Sequence, residues 1–489
     1  TRFDHGILTI WNWHNKAIKQ RRIIAGESAT LEIAIVGTGT YLLTLDGYLD
    51  GVCQRRMIRN LSVTQDLNHV REAWKKDEFF FGVCAFPGRY HWKTAGEPTL
   101  PDGLTPAKAR EREATLMARL GLQVVRTDES MEIGEPLANG SGDYRFNFDR
   151  MDAAVGAYTS RGFELVLQTM NAADWAVLPK YAHHGPTRWR YPHQEAPQRA
   201  YISALVKRYQ DHVRFVQISN EPDQIGYWAG TNEEFVEQFL FSLDQVRQDA
   251  PKMPVTYGGF SLVDVAKCQY FLHELHEFVD LPTYNAHGDL WSYKRSFATM
   301  RRLQEEAGDT ATRWINTETG YSAWRLDQER RQAQINPQKA LYSWANGHAG
   351  ILLFCSRMTR GPGRDGPPDF GIVDYQFSPR FTYGSIAALT STLVGASFRE
   401  TLAESETVHL YVFEREDDLV VAGFTLGDPT SIQIEHDATV ANYVDEMGNP
   451  SQLAKDPMIA LSLDGYPRYW VLDGASYARI VPDQTGLNE

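Results

Sequence analysis

The stretch VRFVQISNEP, residues 213–222, decides the fold. It is a short apolar run that ends in Asn-Glu-Pro, with Glu221 as the carboxylate. A second run of the same kind, TRWINTE (312–318), ends in Glu318. If both runs are neighbouring parallel strands, both side chains emerge at the same rim of one sheet. Two carboxylates facing one cleft are the minimum needed to cleave a glycosidic bond.

Strand-like runs recur along the middle of the chain, and segments with helical periodicity separate them. The eight runs are FFFGVCAF (79–86), LQVVRT (122–127), FELVLQTM (163–170), VRFVQIS (213–219), MPVTYGG (253–259), LPTYNAH (281–287), TRWINTE (312–318) and GILLFCS (350–356). Eight strands, each followed by a helix, are the count of a closed (β/α)8 barrel. An open doubly wound sheet is the alternative, but it usually has fewer strands, and no Gly-rich phosphate loop follows the first run.

The two ends of the chain differ from the middle in their hydrophobic pattern. Runs such as ATLEIAIV and TYLLTLDG near the start alternate apolar and polar residues, as half-buried strands do. We therefore predict an α/β protein, a (β/α)8 TIM barrel flanked by an N-terminal β-rich segment and a C-terminal β-sandwich. The expected boundaries are 1–78, 79–396 and 397–489. The flanks either bind glycan or cover the outside of the barrel, and we favour the covering role.

Composition limits the classes of partner. The chain has 489 residues, 43% of them hydrophobic and 23% charged, which is typical of a soluble globular protein. No run approaches the roughly 18 apolar residues of a membrane span. The net charge of −13 argues against a nucleic-acid partner, because phosphate binding needs a basic surface. Oligomeric state is not readable from the sequence.

Cysteine and histidine spacing gives no sign of a metal site. The four cysteines lack CxxC spacing, and Cys84 and Cys355 lie inside apolar runs as small buried residues do. The sequence leaves open whether any of the cysteines form a disulfide bond. The adjacent pair His183 and His184 would diverge on most backbones, so we expect no metal and no cofactor. The chain starts Thr-Arg-Phe without a leader, which fits either a trimmed chain or a mature secreted or periplasmic protein, and we favour the latter.

The two glutamates must differ in protonation state to do chemistry. Glycosidic cleavage needs a protonated acid for the leaving oxygen and an ionised carboxylate to attack the anomeric carbon or activate water. Their environments must therefore move the two pKa values apart. Arg126, at the end of the second run, is placed to keep Glu318 charged, although a purely structural ion pair is an alternative.

With Asn-Glu-Pro ending the fourth strand and Glu ending the seventh, the chain resembles clan A of the retaining glycoside hydrolases. The resemblance spans roughly 79–396 and extends to GIVDYQFSPRFTYGSIAAL at the end of the barrel. It implies that Glu221 is the general acid/base and Glu318 the nucleophile. The resemblance also implies that Asn220 binds the sugar 2-hydroxyl, and that Arg126 and His287 occupy positions where the clan often places an Arg and a His or Tyr.

The eighth run departs from the clan pattern. The clan often ends that strand with a Trp under the reactive sugar, whereas this chain has Phe354, Ser356 and Arg357. Arg357 begins a Gly- and Arg-rich loop that either is a solvated surface segment or binds an anionic sugar. Further cleft candidates are Asn171 after the third strand and Tyr321 after the seventh.

Aromatic residues in the loops after the strands are candidate sugar platforms, because the C–H faces of sugars stack on aromatic rings. We expect about half of them to touch substrate and the rest to pack beneath long loops. They are Trp175, Trp189, Tyr227, Trp228, Trp291 and Trp324.

The sequence thus predicts a retaining O-glycosyl hydrolase acting on a β-linked glycoside, oligosaccharide or polysaccharide. Transglycosylation by the same residues remains open. A non-catalytic carbohydrate-binding barrel is the alternative from another class. An unrelated metal-dependent barrel enzyme would need a cluster of ligands at the strand ends, which we do not find. The sugar, the linkage and the choice between exo and endo action are not encoded in any motif.

Overall fold

The computed structural model describes most of the chain. The described residues are 3–24, 37–67, 73–74, 78–87, 90, 100–101, 103–127, 133–136, 144–169, 174–185, 190–323, 325–357 and 369–481.

The N-terminal segment forms a four-stranded antiparallel sheet in the order β2-β1-β3-β4. Its strands are β1 His5–Trp11, β2 Ala17–Ile24, β3 Gly39–Leu49 and β4 Val52–Val63. The central strand β3 is mostly buried because it packs against the last barrel helix, where the Thr40 hydroxyl donates to the carbonyl of Arg380 at 3.2 Å.

The middle of the chain alternates strand and helix. Its strands are β5 Phe80–Ala85, β6 Val124–Thr127, β7 Ile133–Pro136, β8 Tyr144–Phe146, β9 Glu164–Thr169, β10 Val213–Ile218, β11 Val255–Thr256, β12 Thr283–Asn285, β13 Ile315–Thr319 and β14 Gly350–Phe354. Its helices are α1 Pro106–Arg119, α2 Asp149–Thr159, α3 Glu195–Tyr209, α4 Asn232–Asp249, α5 Val265–Leu275, α6 Leu290–Glu306, α7 Leu326–Ala345 and α8 Phe381–Leu393.

Eight of these strands form one parallel sheet in the order β11-β10-β9-β6-β5-β14-β13-β12. Backbone hydrogen bonds across the remaining gap join Phe260, after β11, to β12: its N–H donates to Thr283 at 3.2 Å, and Asn285 donates to its carbonyl at 2.8 Å. The sheet is therefore a nearly closed barrel, and the predicted fold is confirmed. β7 and β8 form a separate hairpin after the second barrel strand.

Alternate residues of each barrel strand divide between two apolar layers, as the period of two requires. Phe80 and Phe215 belong to non-neighbouring strands, yet their rings approach to 6.2 Å, so they lie in the barrel interior. Phe81 and Val216, the next residues along, pack in the layer between the strands and the helices.

Several helices begin at the carboxyl ends of the strands with side-chain caps. Thr231 and Glu234 form a reciprocal capping box at the start of α4, with N···O distances of 2.8 and 3.2 Å. Asp289 caps α6 by accepting from the backbone N–H of Ser292 at 2.9 Å. Such caps fix where each helix leaves the rim on which the predicted site lies.

The C-terminal segment is a two-sheet sandwich of nine strands. They are β15 Ser397–Glu404, β16 Val408–Arg415, β17 Asp418–Thr425, β18 Thr430–His436, β19 Val440–Val444, β20 Pro450–Gln452, β21 Met458–Leu463, β22 Arg468–Asp473 and β23 Ala478–Ile480. Six form one sheet, β15-β16-β17-β22-β19-β20, and three form the other, β21-β18-β23. Three of these strands, β16, β17 and β22, are visible in the sequence as the apolar runs VHLYVFERED, LVVAGFTLGD and RYWVLDG.

The central strands β16 and β17 of the larger sandwich sheet are buried on both faces. Leu410 and Val412 of β16 face the smaller sheet, whereas Tyr411 and Phe413 pack in the same core as the barrel helices. This agrees with the favoured covering role of the flank. The exact domain boundaries remain predictions. All four cysteines are free thiols; Cys84, Cys268 and Cys355 are buried.

Trp344 joins the barrel to the sandwich, and we expect Trp344→Ala to be strongly destabilising. Its buried indole stacks on Phe79 at 5.0 Å between ring centroids and lies 4.9 Å from Phe413 of the sandwich. Truncation should lower the free energy of unfolding by about 3–5 kcal/mol, measured by urea denaturation. Met458→Ala, at an exposed position in β21, is the control. Equal losses in the two variants would contradict this role for Trp344.

Candidate active site

Glu221 follows β10 in a tightly constrained turn. Ser219 and Glu221 both have positive φ, 74° and 41°, which is uncommon for residues with a side chain. The Glu221 N–H donates to the carbonyl of Gly258 at 2.5 Å. A Cβ on Gly258 would lie 2.8 Å from the backbone nitrogen of Asn220, so only glycine permits this approach. The turn thus fixes the carboxylate-bearing backbone against the next strand.

The Glu221 carboxyl is 7% exposed and accepts two amide hydrogen bonds. The donors are Asn285, at 2.9 Å from Oε1, and Gln224, at 2.5 Å from Oε2. Burial and the nearby Glu318 carboxylate raise the pKa of Glu221 to about 8, and the hydrogen bond from Asn285 only partly offsets this. At neutral pH Glu221 is therefore the protonated member of the pair.

Glu318 lies near the end of β13 and is equally buried, but Arg126 and His287 face its carboxylate. The Arg126 guanidinium donates to Oε1, and His287 Nε2 lies 3.6 Å from Oε2. Burial opposes ionisation of Glu318, but Arg126 and His287 outweigh it and lower its pKa to about 2. Glu318 is therefore the ionised member of the pair.

Arg126 also connects the two carboxyl-bearing strands. Its Nη1 lies 3.4 Å from Gln217 Oε1 and 3.5 Å from Asn220 Oδ1, and Gln217 Nε2 lies 3.5 Å from the same Asn220 oxygen. The side-chain amide oxygen of Asn220 thus faces two donors, Arg126 and Gln217, in the barrel interior. The NH2 group of the same Asn220 amide is left to donate to a ligand.

Asn285 at the end of β12 forms a second connection, which no sequence motif indicated. While its NH2 group holds Glu221, its Oδ1 accepts from the Thr317 hydroxyl at 2.8 Å. Thr317 directly precedes Glu318. The orientation of the amide is thereby fixed, and the two carboxyl residues are linked through a single side chain.

Lys339 of α7 is a further buried charge beside this rim. Its Nζ donates to the carbonyl of Gly320 at 3.2 Å, and the same carbonyl accepts from Gly288 N–H at 3.0 Å. Burial lowers the pKa of Lys339 to about 7. Because Gly288 adjoins His287 and Gly320 follows Glu318 by two residues, this contact ties together the loops that carry both.

The structure brings five predicted residues into one cluster: Glu221, Glu318, Asn220, Arg126 and His287. Asn171, Trp189 and Trp324 lie outside the described residues.

Tyr321 and Trp175 lie near the rim without a direct link to the carboxylates. Tyr321 is partly buried, and its carbonyl accepts from Gln332 at 3.0 Å. Trp175 stacks on Tyr144 of the β7–β8 hairpin, with ring centroids 5.7 Å apart. Contact of either residue with a substrate remains a prediction.

Trp228 and Arg357 are held by structural contacts, and contact of either residue with a substrate remains a prediction. Trp228 is buried, with its N–H donating to the carbonyl of Thr231 at 2.9 Å and its ring against Phe235. Arg357 is also buried: it donates to the carbonyl of Tyr375 at 2.6 and 3.0 Å, and its guanidinium lies 4.3 Å from the Phe377 ring centre. Core packing and aromatic stacking explain both residues.

Phe354 stands where the resemblance expects a Trp. Its ring lies 5.2 Å from the His287 ring and 5.5 Å from Phe370, measured between centroids. An aromatic wall therefore borders the carboxyl cluster at the end of the eighth strand. Trp291 is on the outer side of helix α6 and is largely exposed. Among the described residues, no group of three or more His, Cys, Asp or Glu is arranged to hold a metal ion.

The fold is similar to those of solved glycoside hydrolases. A family 39 glycoside hydrolase from Bacteroides cellulosilyticus WH2 aligns with a TM-score of 0.68 at 17% identity, over 96% of this chain and 94% of that chain. A family 39 β-xylosidase from Caulobacter crescentus gives 0.56 at 13% identity, over 82% and 97%. A family 30 subfamily 8 xylanase from Clostridium acetobutylicum gives 0.53 at 12% identity, over 81% and 96%.

At these identities the likeness shows the fold alone. No family model matches the sequence, and the chain matches no curated protein. In the part of the chain that the structure describes, no helix is both long and apolar enough to span a membrane. The structural neighbours include glycoside hydrolases of families 39 and 30.

Glu221→Gln is expected to gain stability over wild type as pH rises. Between the ordinary glutamate pKa and about 8, the folded protein holds one more proton at Glu221 than the unfolded chain, so wild-type stability falls with increasing pH. The variant lacks this loss. Thermal unfolding should therefore show that the stability of Glu221→Gln relative to wild type increases across this pH range. The increase should be at least about 1.4 kcal/mol, which corresponds to one pKa unit.

Glu318→Gln is the matched control with the opposite sign. Because the folded-state pKa of Glu318 is lowered, its stabilisation is present above the ordinary glutamate pKa and is lost as pH falls towards about 2. This variant should be less stable than wild type at neutral pH, and the difference should shrink in acid. A constant offset at every pH in both variants would contradict the assigned protonation states.

Proposed function

We propose that this protein is a retaining glycoside hydrolase that cleaves a β-linked glycoside, oligosaccharide or polysaccharide by double displacement. The observation that carries the proposal is the pair of buried strand-end carboxyls in different surroundings: two side-chain amides hold Glu221, whereas Arg126 and His287 face Glu318. Glu221 is protonated by virtue of burial and Glu318 is ionised by Arg126 and His287. Acid and nucleophile are the two states that this reaction requires.

In the first step Glu318 attacks the anomeric carbon while Glu221 gives its proton to the departing glycosidic oxygen. The bond between sugar and leaving group breaks as the ester bond to Glu318 forms. In the second step the ionised Glu221 takes a proton from water, and the resulting hydroxide displaces Glu318. Glu221 ends protonated and Glu318 ends ionised, so the enzyme returns to its starting state with net retention of configuration.

The neighbouring residues have distinct roles in this scheme. Arg126 keeps Glu318 ionised and holds one of its oxygens, which leaves the other to attack. The NH2 group of Asn220 donates to the sugar 2-hydroxyl, a contact that strengthens in the transition state. Asn285 orients Glu221, and its hydrogen bond to Thr317 prevents the amide from turning away.

A β-xyloside is the first substrate to test. The similar structures include a β-xylosidase and xylanases, and the same fold also includes a glucosidase from Croceicoccus marinus with a TM-score of 0.52. Phe354 and His287 give the pocket an aromatic wall that suits the C–H face of a sugar ring. Transglycosylation would follow if an acceptor sugar replaced water in the second step.

Glu318→Ala should abolish hydrolysis of the aryl β-glycoside that the wild type cleaves best. The panel comprises the xyloside, glucoside, galactoside, mannoside, arabinoside and glucuronide. Loss of the nucleophile should reduce kcat by at least about a thousandfold. Azide should restore turnover as a glycosyl azide of inverted configuration, identified by NMR.

Glu221→Ala is the paired variant, and azide should return a glycosyl azide of retained configuration from a substrate with a good leaving group. An active Glu318→Ala would overturn the assignment of the nucleophile. Sugar binding by wild type without any product, on the aryl panel and on oligosaccharides, would favour the non-catalytic binding barrel.

The pH dependence of kcat/KM should be bell-shaped and should reflect the two carboxyls. Activity requires ionised Glu318 and protonated Glu221, so it should rise as pH increases through the low pKa of Glu318 and fall through the raised pKa of Glu221. In Glu221→Ala, the alkaline limb should disappear for a substrate that needs no acid assistance. An alkaline limb unchanged in that variant would assign it to another group.

A further inference from the structure

We propose that a cleft on the outer side of the barrel is a second binding site, which holds a polysaccharide chain away from the catalytic carboxyls. The cleft has a volume of about 900 Å³ and lies between helices α6 and α7 and the C-terminal sandwich. None of the five clustered site residues lines it. The proposal rests on the proposed function, because it assigns the ligand as a glycan.

Trp291 is the platform of this cleft. It lies in the first turn of α6, and its side chain is 60% exposed, which is unusual for the largest apolar side chain. The Arg295 guanidinium lies 4.5 Å from the centre of the indole. Because Arg295 is one helical turn further along, this stacking holds the ring in place. A braced, solvent-facing indole matches the C–H face of a sugar.

The sandwich supplies the opposite wall, and backbone hydrogen bonds hold it. Leu426, which is 39% exposed, donates its N–H to the carbonyl of Thr407 at 2.7 Å. Thr425 donates to Asp464 at 2.8 Å, and Gln338 of α7 donates to Gly465 at 2.7 Å. Hydrogen bonds within the sandwich and from the barrel helix α7 therefore hold this wall in place. The cleft does not need a ligand to form.

The rest of the lining mixes apolar residues, such as Leu290 and Ile335, with polar residues of both charge signs. Arg331 and Gln334 of α7 and Glu406 of the sandwich are among the polar residues. Sugars carry hydroxyl groups around an apolar ring face, and they need both hydrogen-bonding groups and an aromatic surface. A volume near the upper end of the range of about 300–1,000 Å³ for ligand sites has room for several sugar rings. This mixture of groups fits a saccharide better than a lipid or a flat protein surface.

The cleft adjoins the catalytic rim along the chain. His287 is followed by Gly288, whose N–H is bound to Gly320, and Asp289 then caps the helix that carries Trp291. The loop that contributes to the active site therefore continues directly into the proposed platform. A polysaccharide held on Trp291 would keep its chain at the side of the barrel next to that rim.

Affinity electrophoresis in native gels tests this site. The gels contain soluble arabinoxylan, glucuronoxylan or mixed-linkage β-glucan, and all proteins carry Glu318→Ala so that the polymer stays intact. At least one polymer should retard Glu318→Ala, and adding Trp291→Ala should weaken the apparent affinity at least fivefold. Phe278→Ala, at an exposed aromatic outside the cleft, is the matched control and should leave retardation unchanged.

Arg331→Ala separates acidic from neutral glycans: a greater loss on glucuronoxylan than on arabinoxylan indicates recognition of the carboxylate. Circular dichroism melting checks that each variant is folded. Equal retardation with and without Trp291→Ala, or no retardation by any polymer, would overturn the second site. Hydrolysis of aryl glycosides by wild type tests the proposed catalytic function separately. The proposal of a second binding site and the proposed catalytic function can therefore fail independently of each other.

Discussion

The ion pair between Arg126 and Glu318 is the interaction on which the rest of the site depends. Both side chains are almost fully buried, so neither charge is solvated and each needs the other. The pair fixes Glu318 as an anion, and its negative charge then adds to burial in disfavouring ionisation of Glu221. Arg126 thus acts directly on Glu318, whereas burial is the larger cause of the raised pKa of Glu221 and the charge of Glu318 adds to it.

The barrel makes this arrangement possible because it brings distant residues to one rim. Arg126, Glu221 and Glu318 lie at or just after the carboxyl ends of the second, fourth and seventh barrel strands, and 192 positions separate Arg126 from Glu318. Hydrogen-bonded neighbours hold each strand end, and the constrained turn at Glu221 adds a further restraint. Asn285 and Lys339 then connect adjacent loops, so the polar residues form a continuous network rather than isolated pairs.

Sequence reasoning predicted the features that follow from local pattern. Each of the eight apolar runs contains a barrel strand, because buried parallel strands are continuously apolar. Glu221 and Glu318 stood out because polar residues directly after such runs must lie at the rim. Arg126 followed from the same rule and His287 from the resemblance to clan A, and the structure places both beside Glu318.

The remaining features depend on packing between elements that are distant in sequence. Asn285 lies inside a strand run and has no motif, so only the facing Glu221 and Thr317 reveal its role. Arg357 looked like a cleft residue, but its guanidinium is buried against the rings of Tyr90 and Phe377, which come from other segments. Most sandwich strands were missed because strands that alternate buried and exposed residues, such as β21, leave only weak apolar runs.

The most direct test of the assigned protonation states is NMR titration of the protein labelled with 13C at the glutamate side-chain carboxyl, with Glu221→Gln and Glu318→Gln spectra to assign the two signals. Opposite protonation states predict that the Glu221 signal titrates near 8 and that the Glu318 signal stays ionised down to the acid limit of the fold. Two signals that both titrate near the ordinary glutamate pKa of about 4.3 would contradict the division of roles between the carboxyls.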